Sequence, residues 1–527
     1  MNYKDPPMTD FRRNRRRLLP AFFIAFALAA CGSSSTAPAV DPKAVQEQLD
    51  LFVATLTAPS ASGEITAKAE GKAKVEAAGD GSVTGTLPRV TFTSTDGGTV
   101  VLDPVQVRFA SGGEGLVKVS AQLPGTIMLR DKEGKVEGEL QFGSQTLTGI
   151  WSDKLQTLSS ADMRLSNIAI KSANGSTNGS VAQIAVTGGM EPKGGGLYDG
   201  RYDVTMTGFD VNDPASKSRV KLGSLSFATT MSGTRMEDWA KAAKEAGYTL
   251  ANAKQMKMWL DGTADPKVIA FLKRMPEFMG NVSYTYSASG LEVTENTSTT
   301  LGVKNASIGF GAGDDGKGAT KLLLNLSFGG ISTSGEEALL PPEADIQTAT
   351  IEVETSGVPG RQLWDIYVDA LPALQAEATR AAGETASGSA DVSAAGSAAL
   401  EQVSGEMSAR FLAALSAAKL SIAMNQIDVV TPTAKVNGKG LMSYLPAQSI
   451  MPEGKISFRF TGIDALAAAM QKRGAKDETA QQIMGFTSAV RAMGRPDPAS
   501  AAGDRAYIID LVFGKDGSLT ANGQKVF

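Results

Sequence analysis

From about residue 63 to residue 230, apolar and polar residues alternate with a period of two, and glycine, asparagine and aspartate separate the runs. This alternation is typical of half-buried antiparallel strands. Leu225 and Phe227 fall on one face of such a strand. Residues 126–140 predict a hairpin around the short polar turn at 131–134.

The period becomes helical between about residues 235 and 275, which predicts two or three short amphipathic helices. Their apolar positions are Trp239, Ala242, Ala243 and Ala246, then Met256, Trp259 and Leu260, then Val268, Phe271 and Leu272 after Pro266. Strand alternation then returns at Val282, Tyr284 and Tyr286 and, after a turn at 313–316, at Leu322, Leu324, Leu326 and Phe328. A helix is predicted over residues 361–380, with Leu363, Ile366, Tyr367 and Leu371 facing inward.

Residues 376–399 are rich in alanine, glycine and serine, which indicates a linker or a loose connection between helices. Beyond it we predict a helix at about 400–414, strands near 420–430 and 456–460, helices near 463–473 and 478–493, and a closing hairpin. The predicted organisation is a signal peptide (1–30), a tether (31–45), a β-rich domain (46–375), the linker (376–399) and a C-terminal α+β module (400–527). The fold class is α+β and mainly antiparallel β, an extended curved sheet with amphipathic helices packed on one face.

One local plan occurs three times in the chain. An alternating strand leads through a polar residue and a glycine into an amphipathic helix, at 225–236, 351–361 and 456–463. The copies are 126 and 105 residues apart. This spacing favours a body assembled from related sheet-plus-helix units, although a chain so rich in strands could also show the plan by chance.

The N-terminus combines a basic stretch with an apolar run. Five arginines (Arg12, Arg13, Arg15, Arg16 and Arg17) precede the run from Leu18 to Ala30. The run is shorter than the roughly 20 residues that a membrane span needs, so it predicts a secretory signal. Its end, Leu28-Ala29-Ala30-Cys31, resembles the lipobox of bacterial lipoproteins, and Cys31 is the only cysteine in the chain. The resemblance implies cleavage before Cys31, lipidation of its thiol and, since Gly32 follows, an outer-membrane destination.

The C-terminal residues carry a second resemblance. The sequence from Asp510 to Gly523 is an apolar strand, an acidic-glycine turn and a strand that leads to Asn-Gly. Together with the strand-then-helix plan, it resembles the uncharacterised YdgA-like family of bacterial envelope proteins. That family usually has an uncut N-terminal span in place of a lipobox. The resemblance implies an envelope location and the fold class only.

Composition excludes several functions. Without residues 1–30 the chain has 45 basic and 53 acidic residues, a net charge of −8, which leaves no basic surface for nucleic acid. There is no histidine. Histidine-dependent triads and zinc chemistry therefore have no residues to use once Cys31 is acylated. We expect no catalytic residue, no cofactor and no metal site.

Four motifs in the sequence each allow a functional and a simpler structural interpretation. Ser416 and Lys419 have the Ser-x-x-Lys spacing of penicillin-recognising enzymes, but the companion motifs are absent, so coincidence is favoured. Asp314 and Asp315 could bind calcium, but a hairpin tip is favoured. Glycines 194–196 predict a flexible turn and not a phosphate loop. The tryptophans Trp239, Trp259 and Trp364 have apolar neighbours at helical spacing, which favours core positions over ligand stacking.

Three functions remain open. The first is a non-enzymatic envelope lipoprotein that acts as a scaffold or adaptor for other envelope proteins on the periplasmic side of the membrane. The second is a carrier that binds lipid on an apolar sheet face left uncovered. The third, a carboxylate-dependent hydrolase, needs two acidic side chains that converge in a cleft. In each case the expected partners are the membrane through Cys31, and either a lipid ligand or envelope proteins.

Overall fold

The computed structural model describes residues 40–57, 65–173, 178–214, 217–247, 266–295, 299–334, 341–386, 392–444, 452–473, 477–500 and 505–526. The predicted signal peptide, Cys31 and residues 32–39 of the predicted tether lie outside these ranges. So does the predicted helical stretch that contains Met256, Trp259 and Leu260.

Antiparallel strands make up more than half of the described residues and helices a smaller share, so the fold is α+β and mainly antiparallel β, as predicted. The helices are α1 Pro42–Leu56, α2 Met236–Glu245, α3 Pro266–Phe278, α4 Gly360–Ala386, α5 Val392–Ala417, α6 Ile463–Arg473 and α7 Glu478–Met493. The first twelve strands are β1 Ile65–Ala69, β2 Lys74–Ala77, β3 Val83–Leu87, β4 Val90–Ser94, β5 Thr99–Leu102, β6 Val105–Gly113, β7 Leu116–Gln122, β8 Thr126–Arg130, β9 Val136–Ser152, β10 Thr157–Ser172, β11 Asn178–Gly194 and β12 Leu197–Asp213. The next twelve are β13 Ser218–Thr234, β14 Asn281–Glu295, β15 Thr299–Asp314, β16 Thr320–Ser334, β17 Thr348–Val358, β18 Leu420–Val430, β19 Lys435–Tyr444, β20 Glu453–Thr461, β21 Arg495–Pro496, β22 Tyr507–Phe513, β23 Leu519–Ala521 and β24 Gln524–Lys525.

The chain forms two compact units that alternate along the sequence. The described residues of Met1–Ser216, Ala228–Gly280 and Val368–Ser404 form the first unit, and those of Lys217–Phe227, Asn281–Tyr367 and Gly405–Phe527 form the second. The predicted linker at 376–399 overlaps the end of α4 and the start of α5, and residues 387–391 lie outside the described ranges. None of the described helices combines the length and the apolar character that a membrane span requires.

In the first unit, β9 is long enough to pair with two short strands. Its first part pairs with β8 and its last part with β7, while β10 pairs along nearly its whole length. The predicted hairpin at 126–140 is confirmed, with Ile127 opposite Leu140. Helix α1 packs on β2 and β3, and its fully buried Leu49 fills the space above Gly85, where any side chain would collide with it. Valines, leucines and Phe109 from these strands complete a fully buried core.

The long strands change the phase of their alternation at one residue. In β10 the core positions Met163 and Leu165 are followed by Ile168 and Ile170, so the period-two pattern shifts by one across Asn167. Asn167 has a φ of 52°, and the shift keeps both pairs in the same core. A residue in the left-handed region acts here like a bulge that reverses the pleat. Gly208 of β12, with a φ of 63°, is a second such position.

In the second unit the same phase change occurs at Gly290 of β14 and Gly330 of β16, whose φ values are 63° and 59°. The hydrogen-bonded order of the strands is β14, β15, β16, β17, β18, β19, β20, β22, β23 and β24, with every pair antiparallel. Helices α6 and α7 contact each other, and their residues form one buried cluster with residues of β20 and β22. The predicted helices at 463–473 and 478–493 and the predicted strand at 420–430 are confirmed.

All three copies of the strand-glycine-helix plan are present. Strands β13, β17 and β20 lead through Gly233, Gly357 and Gly462 into α2, α4 and α6. The φ values of these glycines are 65°, 78° and 70°, a conformation that costs other residues energy. In the last two copies, the strand after the helices pairs with the strand before them, β18 with β17 and β22 with β20. The common ancestry of the units stays a prediction.

Candidate functional site

One face of the sheet in the second unit is apolar from strand to strand. Residues opposite each other in antiparallel strands point to the same side of a sheet. The pairing therefore defines one continuous row on this face: Tyr284, Phe310, Leu324, Val353, Met424, Gly440, Ile456 and Leu511. The neighbouring row is Tyr286, Ile308, Leu326, Ile351, Ile427, Gly438, Phe458 and Ile509.

Strand β13 adds to the same face. Ser224 hydrogen-bonds to Ser289 at 2.6 Å and Ser226 to Ser287 at 2.5 Å, so these four serines share the opposite face. Leu225 and Phe227, which alternate with the serines, therefore lie beside the tyrosines of β14. Their shared face was predicted from the sequence.

The end of this face at β20 and β22 is closed. Ile456, Phe460, Tyr507 and Ile509 are only 5–7% exposed. Phe460, Tyr507 and Ile509 share one buried cluster with Ile463, Leu466, Met470 and Val490 of α6 and α7, which cover this end of the face. We call these four strand residues the closed apolar face.

The other end of the same face is open. Leu225, Tyr284, Tyr286, Phe310, Leu322 and Phe328 are each 38–47% exposed. We call these six residues the open apolar face. Scattered exposed apolar residues are ordinary on protein surfaces, whereas a contiguous patch is a candidate binding site. Five of these residues are predicted on strands from the sequence. Phe310 is not, although its alternation with Gly309 and Gly311 was the available signal.

The dimensions of the open apolar face follow from strand geometry. Four rows of side chains along each strand span about 20 Å, and the four strands β13–β16 span about 14 Å across. Four rows of paired residues cross this face on β14–β18, from the row that contains Leu322 to the row that contains Phe328. None of the residues in these rows is charged. The opposite face carries the serines, Lys321, Glu352 and Glu354. The sheet is thus amphipathic, with its apolar side accessible at one end.

Three rings form a cluster on the open apolar face. The ring of Phe227 stacks with that of Tyr284 at 6.1 Å and 9°, and lies 4.7 Å from that of Tyr286. Neither tyrosine hydroxyl has a hydrogen-bond partner within the described part of the chain. By contrast, the hydroxyl of Tyr198 donates to Glu237 at 2.6 Å, and that of Tyr202 donates to the Leu158 carbonyl.

The residues of the candidate motifs have local structural roles. The carboxylate of Asp315 accepts the backbone N–H groups of Lys317 and Ala319, and Asp314 accepts that of Gly316, as a hairpin tip requires. The hydrogen bond from Lys317, and then that from Ala319, lowers the pKa of the Asp315 carboxyl. Within the described ranges, no group of three acidic or sulfur side chains could hold a metal ion.

The other motifs are also local. Ser416 donates back to the Ala413 carbonyl within α5, and glycines 194–196 form the turn between β11 and β12. Trp239 is 9% exposed and meets the edge of Phe271 at 6.1 Å, which places it in the core. Trp364 lies 5.7 Å from Tyr367. Trp259 and Cys31 lie outside the described residues.

A polar cluster in the first unit was not predicted. Glu237 at the start of α2 accepts Tyr198 at 2.6 Å and pairs with Lys154 at 2.8 Å. The hydrogen bond from Lys154, then that from Tyr198, lowers the pKa of Glu237, and burial raises the pKa of Tyr198. The three residues are far apart in sequence and share no motif. Their contacts attach α2 to the start of β12 through Tyr198 and to the turn between β9 and β10 through Lys154.

No protein-family model, no curated protein and no solved structure matches the chain. The lipobox and the YdgA-like resemblance remain predictions from the sequence.

Proposed function

We propose that this protein is a non-enzymatic envelope lipoprotein that binds the acyl chain of a membrane lipid on its open apolar face. The observation that carries the proposal is the exposure of six large apolar residues on adjacent strands, on the same face that α6 and α7 cover elsewhere. Apolar surface left in water has a free-energy cost, which a bound chain removes. The patch also has the size for this occupant, because half of a bilayer's hydrocarbon core is about 15 Å thick.

The charge distribution favours a lipid chain over a polar ligand. The open apolar face lacks ionised side chains, whereas the reverse side of the same strands carries them. A hydrocarbon chain needs only dispersion contacts and exclusion of water, which aliphatic and aromatic side chains provide. The scaffold that the sequence placed first needs no such surface, so the open apolar face supports the carrier function instead.

The predicted lipid anchor would keep this face near its ligand. Lipidation of Cys31 would hold the protein on the periplasmic side of the membrane, with the outer membrane as the proposed destination. A Cys31→Ala chain should leave the precursor uncleaved and incorporate no radiolabelled palmitate. Labelling of that variant would contradict the anchor, and leave the ligand proposal to be tested separately.

The ligand proposal is tested by lipid co-purification. The full-length protein and a Phe310→Ser/Leu322→Ser variant are extracted in a mild detergent and examined by native mass spectrometry. We expect phospholipid on the unaltered protein and at least about a fivefold loss on the variant, since two apolar contacts are removed.

A matched control comes from the polar face of the same sheet. Leu441 and Val512 are 59% and 42% exposed, and both lie opposite Lys455, away from the open apolar face. Leu441→Ser/Val512→Ser should leave bound phospholipid unchanged. Lipid-free spectra of the unaltered protein, or equal losses in both variants, would overturn the proposal.

A further inference from the structure

We infer that Tyr284 and Tyr286 form a polar subsite for the ester carbonyls of the bound lipid, so that the ligand is an ester-linked glycerolipid whose chain extends from these tyrosines. This inference rests on the proposed function and adds the chemical class and orientation of the ligand.

The first support is the exposure of two tyrosine hydroxyls. Tyr284 and Tyr286 are 41% and 47% exposed, and their hydroxyls have no partner within the described residues. The tyrosines that face protein in the first unit do have one, as the Tyr198–Glu237 hydrogen bond shows. Two exposed phenolic groups at one side of an apolar surface can donate to a ligand that carries acceptors.

The second support is ring geometry. Both tyrosine rings contact the ring of Phe227, so stacking restricts their orientation before a ligand binds. Preorganised donors lose less conformational entropy on binding. Beyond them, β15 and β16 offer only apolar side chains in the two rows that begin at the tyrosines: Phe310 and Leu324, then Ile308 and Leu326.

The third support is the absence of cations. On the apolar face of β14–β18, the rows from Leu322 to Phe328 contain no lysine and no arginine. These rows therefore offer no side chain that could neutralise a carboxylate or a phosphate. A free fatty acid would therefore place its charge against uncharged side chains. An ester carbonyl is a neutral acceptor, and it matches two neutral donors.

The test compares two lipids that differ only in the carbonyl. Full-length protein in a mild detergent is mixed with equal amounts of ester-linked and ether-linked phosphatidylcholine of the same chain length, and native mass spectrometry counts each bound species. The protein should prefer the ester lipid by about tenfold, as two modest hydrogen bonds allow. Tyr284→Phe/Tyr286→Phe, which removes only the hydroxyls, should abolish the preference by lowering binding of the ester lipid to the level of the ether lipid.

Equal binding of the two lipids by the unaltered protein would overturn the ester subsite and leave the proposed function standing. So would an ester preference that persists in the double variant. Failure of both lipids to bind would instead overturn the proposed function together with this inference. Each single Tyr→Phe variant should retain part of the preference, and a single variant that loses all lipid binding would contradict a role confined to the carbonyl.

Discussion

Two ends of the sheet in the second unit carry the same alternation of side chains but differ in what covers them. At β20 and β22 the apolar side chains are 5–7% exposed beneath α6 and α7, and at β13–β16 they are 38–47% exposed. The hydrogen-bonded rows run through both ends, so the difference does not come from the strands. It comes from a helical pair inserted between two neighbouring strands that folds back over them. Closure at one end is structural, and the open end is the surface on which we propose that a ligand binds.

The largest expected contrast is in stability. Met470 of α6 is fully buried against the closed apolar face, so Met470→Ala should lower the free energy of unfolding of this region by about 2–5 kcal/mol. Phe310→Ala on the open apolar face should cost less than about 1 kcal/mol, since much of the ring is already in water. Hydrogen exchange of the β20 and β22 amides measures the first effect, and exchange of β15 and β16 the second. Equal losses of stability in the two variants would mean that the Phe310 ring is packed as tightly as Met470, which would contradict an open face.

The turn before α6 gives a second contrast. A side chain at Gly462 would collide with the Thr433 carbonyl, and the residue has a φ of 70°. Gly462→Ala should therefore cost about 2–4 kcal/mol, from backbone strain plus displacement of β19 or α6. Gly233→Ala, at a φ of 65° but with open space around it, should cost about 1–2 kcal/mol from strain alone. Thermal unfolding of the two variants checks this order, and a larger effect at Gly233 would be inconsistent with it.

Acidic pH should lower the stability of the end of the sheet that β20 and β22 form. Asp510 accepts a hydrogen bond from Ser457 at 2.5 Å and pairs with Lys455 at 3.0 Å, and these contacts lower the pKa of its carboxyl. A carboxyl with a depressed folded pKa stabilises the fold above its unfolded pKa, near 3.9, and loses that contribution as pH falls through the folded value. Asp510→Asn should cost about 1 kcal/mol at neutral pH and progressively less below about pH 4. A cost independent of pH would show that the charge is not responsible.

The sequence predicted most strands and the last two helices because their periods are long and regular. Ile463–Arg473, Glu478–Met493 and Leu420–Val430 match the predicted ranges. It did not predict that α5 begins at Val392, since alanine, glycine and serine there suggested a linker. The reversals of side-chain alternation at Asn167 and Gly290 were also not predicted. In the sequence, a one-residue shift in the alternation looks like the end of one strand and the start of another.

The candidate site was predicted only in part. Alternation identified Tyr284, Tyr286, Leu322 and Phe328 as one-face residues of strands. Their exposure depends on where α6 and α7 pack, and those helices lie more than a hundred residues further along the chain. The local sequence pattern of β14–β16 contains no information about which strands α6 and α7 will cover. The same limit applies to the Lys154–Glu237 pair, which forms only through the fold.

The central claim is that lipid occupies the open apolar face in the cell, and photocrosslinking from single positions tests it most directly. A benzophenone amino acid replaces Phe310 in one full-length chain and Leu441, which is more exposed but on the polar face, in another. After irradiation of intact cells, mass spectrometry should find phospholipid attached at position 310 and none at position 441. Equal attachment at both positions, or attachment at 441 alone, would contradict the account.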